Sequence, residues 1–190
     1  MKLAQGAEAV ISKEGDTIVK DRIAKSYRHP ELDARLRSLR TKKEAKLLKS
    51  LPVLGPKMLD TDDKERIVMS FVDGVPLRDC LDGKPALARD VGVGLRKLHD
   101  KHIIHGDLTT SNMILSGKEI AFIDFGLSFH SRRIEDKAVD IHLFKQALAS
   151  SHWRVEKEAF EMFWKGYGKD DSVRERFAVV ESRGRNKEKY

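Results

Sequence analysis

The chain has 190 residues, of which 40% are hydrophobic and 35% are charged, and its formal net charge at pH 7 is +7. This length favours a single domain and is sufficient to bury one core. The sequence has no apolar run as long as a membrane span and no signal-peptide core, and its one cysteine, Cys80, has no partner for an internal disulfide. We therefore expect a cytoplasmic protein without membrane association.

Positive charge is concentrated in two segments. Residues 20–57 contain twelve Lys and Arg against four Asp and Glu, and residues 183–190 contain four against one. The rest of the chain is net acidic. This distribution is expected for a protein that binds a phosphate-rich partner. It is equally expected for a solvated helix face and a frayed terminus, so both interpretations stay open.

The first predicted elements are a β-hairpin and a helix. The hairpin strands lie at 9–11 and 17–19 with a turn at 14–16, and Lys20 ends the second strand. The helix is predicted at 31–50, with leucines along one side: Leu32, Leu36, Leu39, Leu47 and Leu48. Glu44 lies beside this stripe, either as a surface residue among lysines or as a partner of Lys20.

The next segments extend this β-rich part and begin a helical one. Pro52 and Gly55-Pro56 end the first helix. Strands are predicted at 57–59 and 66–72. A helix at 85–101 follows, and its apolar residues have core spacing: Leu87, Val91, Leu95 and Leu98.

A second hairpin is predicted from the apolar runs 113–115 and 120–123, which flank a Ser-Gly turn. Asp107 precedes its first strand and Asp124 follows its second, so closing the hairpin brings Asp107, Asn112 and Asp124 to one end. Two carboxylates and an amide oxygen suit Mg²⁺, which prefers oxygen ligands shared with phosphates. The alternative is that Asp107 and Asn112 only cap a turn.

Helices predicted from 136, at 155–167 and at 172–181 close the chain before the basic tail 183–190. The first of these helices is apolar, with these residues: Val139, Leu143, Phe144, Ala147 and Leu148. Asp140 lies near its start, where an acid favours the helix dipole.

The motifs around the second hairpin resemble those of protein kinases. His-Gly-Asp-Leu-Thr-Thr-Ser-Asn at 105–112 is similar to the catalytic loop, and Asp-Phe-Gly at 124–126 is similar to the metal motif. The resemblance implies an α+β, two-lobed kinase-like fold. It would form a single domain over 1–190, with a small β-rich N-lobe at about 1–73 and a reduced helical C-lobe at about 74–182.

The same resemblance implies roles for individual residues. Lys20, held by Glu44, would contact the α- and β-phosphates of ATP. Asp107 would be the catalytic base, and Asn112 and Asp124 would hold Mg²⁺. The phosphate loop and hinge would supply the other ATP-binding residues: Gly6, Ala7, Glu8, Ala9, Met69, Ser70 and Val72. Asp140 would be the buried aspartate that steadies the catalytic loop.

Several features depart from ordinary protein kinases. The phosphate loop keeps a single glycine, Gly106 replaces the catalytic-loop arginine, and Thr109 replaces a lysine that contacts the γ-phosphate. No Ala-Pro-Glu follows the short segment after Gly126, which implies that the peptide-binding platform is missing. These departures argue against fast protein phosphorylation and leave ATP hydrolysis, autophosphorylation and a small-molecule acceptor open.

Further runs narrow the resemblance: Lys-Ser-Tyr-Arg-His-Pro-Glu-Leu-Asp at 25–33, Arg-Thr-Lys-Lys-Glu-Ala at 40–45, Asp-Lys-Ala-Val-Asp at 136–140 and Arg-Gly-Arg at 183–185. Together they resemble the minimal atypical kinase subunit of the KEOPS complex, which makes threonylcarbamoyladenosine in tRNA. This implies an ATPase and Ser/Thr kinase that uses ATP and Mg²⁺. Its expected partners are the threonylcarbamoyltransferase subunit, a small regulatory subunit on the other lobe, and tRNA, which would be contacted through 20–57 and 183–190.

Three alternatives stay open on the sequence alone. A RIO-like or ordinary Ser/Thr kinase acting in trans shares the metal motifs but should show a peptide platform or a larger ATP loop. A small-molecule phosphotransferase normally has a larger helical lobe. A non-catalytic scaffold would tolerate the loss of Lys20, Asp107 or Asp124, and all three residues are present.

Overall fold

A computed structural model of the protein describes residues 2–6 and 8–185. The chain divides into an N-terminal unit, Met1–Leu51 with Gly55–Asp73, and a C-terminal unit, Pro52–Leu54 with Gly74–Tyr190. The N-terminal unit contains β1 (Lys2–Gln5), β2 (Ala9–Glu14), β3 (Thr17–Arg22), α1 (Pro30–Leu48), β4 (Met58–Thr61) and β5 (Arg66–Ser70).

The strands of the N-terminal unit form one antiparallel sheet in the order β1-β2-β3-β5-β4. The predicted hairpin is confirmed as β2 and β3, which are joined by a tight turn. Glu14 lies opposite Thr17, and Gly15 adopts a φ of +60°, which a glycine reaches without steric cost. The sequence did not predict β1, since its four residues are too short a run to show a period.

Helix α1 exists as predicted, but its leucine stripe is only partly buried. Leu32 and Leu39 are 51% and 46% exposed, whereas Leu47 and Leu48 are each 5% exposed. The buried side also includes three polar residues: Asp33, Thr41 and Glu44. Acidic residues that find buried partners can take core-facing positions where the pattern favours leucine.

The C-terminal unit is mostly helical. Its elements are β6 (Val75–Pro76), α2 (Leu77–Cys80), α3 (Ala88–Asp100), β7 (Ile103–Ile104), β8 (Met113–Ser116), β9 (Glu119–Phe122), β10 (Phe129–His130), α4 (Ile134–Ser151), α5 (Glu156–Tyr167) and α6 (Asp171–Arg185). The second predicted hairpin is confirmed as β8 and β9, which extend a sheet in the order β6-β8-β9. A small β-sheet unit and a mostly helical unit confirm the predicted α+β, kinase-like fold.

The core of the C-terminal unit is built around the contact between α3 and α5. Val91, Leu95 and Leu98 of α3 are fully buried, as their spacing predicts, and Leu87 is half-buried. At Gly92 a Cβ would collide with the Phe163 backbone carbonyl. These helices approach so closely because glycine stands at the crossing, and a methyl group there would overpack it.

Two predicted helix boundaries need correction. Helix α4 begins at Ile134 rather than 136, and Val139, one of its apolar residues, is 38% exposed. Helix α6 continues to Arg185, so the first residues of the basic tail are helical, and residues 186–190 lie outside the described part of the chain. Among the described helices, no segment is long and apolar enough to cross a membrane.

Candidate active site

The predicted partner of Lys20 lies beside it. Lys20 Nζ donates to Glu44 Oε1 at 2.7 Å, and both side chains are almost completely buried. Strand β3 and helix α1 bring these residues together across 24 positions of sequence. The structure also places Arg22 on the same carboxylate, at 2.5 Å from Glu44 Oε2. Sequence reasoning missed Arg22, although its position two residues after Lys20 puts both on one face of the strand.

The predicted phosphate loop joins β1 to β2. Gly6 N–H donates to the Ala9 carbonyl at 3.0 Å, and Ile23 N–H donates to the Glu8 carbonyl at 3.1 Å. Ala9 is buried, whereas Gly6 and Glu8 are exposed. Ala7, the remaining residue of this loop, lies outside the described residues.

The predicted hinge residues lie at the end of β5 and just after it. Met69 is 7% exposed, and Ser70 and Val72 are partly exposed. The Ser70 N–H donates to the Lys57 carbonyl at 2.9 Å, and the Ser70 hydroxyl accepts from Lys57 N–H at 2.9 Å. The Ser70 amide is therefore already used within the N-terminal unit, so an adenine contact at this residue would have to use its carbonyl.

Asp140 fixes the start of the catalytic loop. Its two oxygens accept from the backbone N–H groups of His105 at 2.7 Å and Gly106 at 2.9 Å. His99 Nε2 donates to the same carboxylate at 3.2 Å, and the Tyr167 hydroxyl pairs with His99 Nδ1 at 2.8 Å. Gly106 is half-buried, and the other groups are buried. The bonds give Asp140 the bracing geometry that its position in the sequence implied, and they give His99 a structural role.

Burial sets the properties of two groups in this network. Desolvation lowers the pKa of His105 below its usual value of 6.5 despite the nearby Asp140, so its ring is uncharged at neutral pH. His105 Nε2 donates to the Ile123 carbonyl at 3.2 Å. Burial, together with the charge of Asp170, raises the pKa of Tyr167. His105 and Tyr167 therefore act here as uncharged hydrogen-bonding groups.

The three residues predicted to lie together at the Mg²⁺ site all belong to the C-terminal unit: Asp107, Asn112 and Asp124. Asn112 Nδ2 donates to the Asp107 carbonyl and to Asp107 Oδ2, both at 2.9 Å. Ile123 N–H donates to the Asn112 carbonyl at 3.0 Å, which ties the loop to the residue before Asp124. Asp124 is exposed and adopts a left-handed φ of +59°, which is uncommon outside glycine.

This donor set fits Mg²⁺. Because the amide nitrogen of Asn112 is used on Asp107, its amide oxygen is the atom left to face a cation. Mg²⁺ is usually held by one or two carboxylates together with substrate phosphates. Within residues 2–6 and 8–185, the structure has no group of three or more His, Cys, Asp and Glu suited to a metal.

The structure explains one departure from the kinase loop. Gly106 has a φ of +79°, and a Cβ at this position would lie 2.6 Å from the Leu127 carbonyl oxygen. An arginine here would be strained in its backbone and would collide with the segment that follows Asp-Phe-Gly. Glycine is therefore required by the local packing.

A second histidine network supports the other end of the loop. The Thr110 hydroxyl lies 3.0 Å from His152 Nε2, and His152 Nδ1 lies 2.5 Å from Asp82 Oδ1. Thr110 and His152 are almost fully buried. No local pattern in the sequence signals this network, because its members are separated by 42 and 70 positions.

The fold and the two kinase-like motifs indicate a class of protein: an ATP-dependent phosphotransferase of the protein-kinase-like type. Residues 9–139 match the RIO domain family. The chain is 44% identical to the EKC/KEOPS complex subunit BUD32 of Encephalitozoon cuniculi, over 97% of this chain and 95% of that protein. The chain belongs to the RIO domain family and, within it, to the family of KEOPS complex subunit BUD32.

Other relatives share this similarity. The KEOPS complex subunit Bud32 of Pyrococcus abyssi is 40% identical over 98% of this chain and 92% of its own length. A probable bifunctional tRNA threonylcarbamoyladenosine biosynthesis protein of Methanothermobacter thermautotrophicus is 42% identical over 96% of this chain. In that case the chain spans 36% of the relative, so the bifunctional protein includes a large part with no counterpart here.

Proposed function

We propose that this chain is the ATP-dependent kinase and ATPase subunit of a KEOPS-type complex that supports threonylcarbamoyladenosine modification of tRNA. The observation that carries the proposal is the nearly full-length similarity to proteins of that name. The predicted phosphoryl-transfer residues are also all present in this chain: Lys20, Glu44, Asp107, Asn112 and Asp124.

The chemistry proposed for these residues is positioning and charge neutralisation. Lys20, fixed by Glu44, binds the α- and β-phosphates of ATP. Asn112 and Asp124 hold Mg²⁺, which when bound neutralises charge on the phosphate oxygens. Asp107 orients a water molecule or accepts a proton from an attacking hydroxyl, and its carboxylate is held for this by the Asn112 amide.

The adenine and phosphate-loop contacts form the rest of the proposed ATP site. Met69 would line the back of the adenine pocket, and the backbones of Ser70 and Val72 would bond the adenine edge. The backbone of the loop from Gly6 to Ala9 would lie over the phosphates.

We assign three partners to this protein. The threonylcarbamoyltransferase subunit and a small regulatory subunit would bind it within the complex, and tRNA would contact its basic segment 20–57 and tail 183–190. The names of the relatives, which mention the KEOPS complex and tRNA threonylcarbamoyladenosine biosynthesis, support this assignment. A cytoplasmic location follows from the same proposal.

The ion pairs of segment 20–57 indicate which of its cations would contact tRNA. Arg28 and Arg37 pair with Asp33, and Arg40 pairs with Glu8, so these cations are used within the N-terminal unit. Other cations of α1 and its C-cap are exposed and have no acidic partner among the described residues: Arg35, Lys42, Lys43, Lys46 and Lys49. We propose this exposed set as the RNA-facing part of the segment, because unpaired surface cations supply phosphate contacts.

The test of the proposed function is phosphate release from ATP with Mg²⁺. It compares the wild type, Asp124→Ala and the exposed control Lys157→Ala, each alone and with the transferase subunit and tRNA. We expect turnover that responds to the partner or to tRNA, is lost in Asp124→Ala and is unchanged in Lys157→Ala. Absence of turnover in every mixture would leave a scaffold and would contradict the proposal.

One other function has support from a specific observation. The RIO domain match and a relative from Archaeoglobus fulgidus, named a probable serine/threonine-protein kinase BUD32 homolog and 38% identical over 97% of this chain, favour phosphorylation of proteins in trans. Radiolabel transfer to generic protein substrates that is indifferent to the partner and tRNA would support this function instead.

A further inference from the structure

Glu44 carries a second buried cation. Its Oε1 accepts from Lys20 at 2.7 Å, and its Oε2 accepts from Arg22 NH2 at 2.5 Å. The three side chains are between 2% and 6% exposed. The proposed function uses the first of these contacts and gives the second no role.

Arg22 lies on the phosphate-loop side of Lys20. In the β2–β3 pairing, Lys20 is opposite Ile11, whereas Arg22 is opposite Ala9, the residue that follows the loop. Residues two apart on a strand point to the same face, so both side chains reach toward α1. Arg22 and Lys20 are thus neighbours on the same face of strand β3.

The contacts of Arg22 tie it to Glu44 specifically. Its backbone N–H donates at 3.0 Å to the carbonyl of Glu65, the residue before β5. Its buried Nε has no hydrogen-bond partner among the described residues, and NH2 is on Glu44. The Glu44 carboxylate is therefore the group that chiefly orients the buried guanidinium of Arg22.

A carboxylate with two separate donors is held more firmly than one with a single donor. With Lys20 alone, Glu44 could turn about its terminal torsion, which is broad in energy, and still keep one oxygen near the ammonium. With Arg22 on the second oxygen, that rotation would break a charge-assisted bond. Arg22 therefore fixes the plane of the Glu44 carboxylate and the position of α1 relative to β3.

We infer that Arg22 is a positioning residue, which acts through Glu44 to hold Lys20 ready for the phosphates of ATP. The lysine–glutamate pair is then held within the N-terminal unit by residues of β3 and α1. This inference rests on the proposed function, because it assigns a phosphate-binding role to Lys20.

The test is the affinity of the whole protein for ATP with Mg²⁺ and for adenosine, measured by calorimetry. The variants are Arg22→Gln, Arg22→Lys, Glu44→Gln and the double variant Arg22→Gln/Glu44→Gln. Arg66→Gln is the matched control, since Arg66 is an exposed arginine in the same sheet. Wild-type ATP turnover is measured in parallel, so that failure of the proposed function is seen separately.

We expect Arg22→Gln to weaken ATP binding at least tenfold and to change adenosine binding less than twofold, because adenosine has no phosphates. Arg22→Lys should recover part of the loss, since it keeps a cation on Glu44. In the double variant the loss should equal that of Glu44→Gln alone, because both substitutions remove one coupled unit. Arg66→Gln should bind as the wild type does.

The inference is overturned if ATP binding changes less than twofold in Arg22→Gln, if ATP and adenosine weaken equally, or if the two losses add in the double variant. Should Arg22→Gln fail to fold, Arg22→Met keeps the buried stem without the charge and is judged by the same outcomes. A wild type that binds ATP in an Arg22-dependent way without turning it over would sustain the inference and contradict the proposed function.

Discussion

Each unit has a buried carboxylate that holds candidate active-site residues in place: Glu44 in the N-terminal unit and Asp140 in the C-terminal unit. The two carboxylates accept hydrogen bonds from different kinds of donor. Glu44 accepts from the charged side chains of Lys20 and Arg22. Asp140 accepts from two backbone N–H groups and from the His99 ring. Glu44 thus balances the charges of two cations, whereas Asp140 holds the backbone of the catalytic loop in place.

The difference shows how each unit keeps its geometry. A buried ion pair depends on both of its charges, because removing one charge leaves the other desolvated and uncompensated. A carboxylate that serves backbone N–H groups depends on the number and direction of its acceptor sites. Substitutions that remove charge but keep shape should therefore be more harmful at Glu44 than at Asp140.

The largest effect is expected from Glu44→Gln. This substitution keeps the shape but removes the carboxylate charge that Lys20 and Arg22 share, and breaking a buried pair in this way costs about 3–5 kcal/mol. Chemical unfolding followed by circular dichroism measures the loss. Glu161→Gln, at an exposed position of α5, is the control and should stay within about 0.5 kcal/mol of the wild type. A Glu44→Gln variant as stable as this control would contradict the claim that loss of charge is more harmful at Glu44 than at Asp140.

A smaller loss is expected from Asp140→Asn. The amide keeps one oxygen for the loop, but its nitrogen meets a backbone N–H, and one unsatisfied buried donor costs about 1–3 kcal/mol. The same unfolding measurement applies. Hydrogen exchange should report faster exchange at the amides of His105 and Gly106, and unchanged exchange there would contradict the bracing role.

Tyr167→Phe should cost about 1 kcal/mol, which is typical of one hydrogen bond in a protein. The substitution removes the hydroxyl that pairs with His99 Nδ1 and leaves the ring in the core. Unfolding of this variant compared with Tyr27→Phe, at a position that is 76% exposed, isolates the buried bond. Equal stability of the two variants would mean that the hydroxyl does not support Asp140 through His99.

The smallest effect is expected at Asp33, a third carboxylate, whose arginine partners remain 18% and 21% exposed to solvent. Desolvation would raise its pKa, but hydrogen bonds from Arg37 and the Lys25 backbone outweigh it, so the pKa of Asp33 lies below its ordinary value of 3.8. A lowered folded-state pKa stabilises the fold above the unfolded value and loses that contribution as the pH falls through the folded value.

The stability difference between the wild type and Asp33→Asn should therefore be constant above about pH 5 and shrink below pH 3.8. Unfolding at a series of pH values measures it. A difference that grows on acidification would have the wrong sign for a stabilised carboxylate.

Local spacing in the sequence determined much of this protein. The runs that form β2–β3 and β8–β9, the loop from His105 to Asn112 and the Asp-Phe-Gly after β9 were all predictable, because hairpins and motifs are defined by neighbours in the chain. The pairing of Lys20 with Glu44 was predictable through the resemblance to kinases.

Packing between distant segments decided the rest. The spacing of Lys20 and Arg22 puts both on one strand face, but it does not show that Arg22 shares Glu44. The sequence also has no local signal that His152 reaches Thr110, or that Leu32 and Leu39 lie exposed while Glu44 is buried. Periodicity identifies a helix face by its hydrophobicity, but which face is buried depends on the partners that the tertiary structure provides. Glu44 pairs with two cations of strand β3, so its charge is balanced inside the protein. A carboxylate paired in this way can therefore be buried on a helix face where the hydrophobic pattern favours leucine.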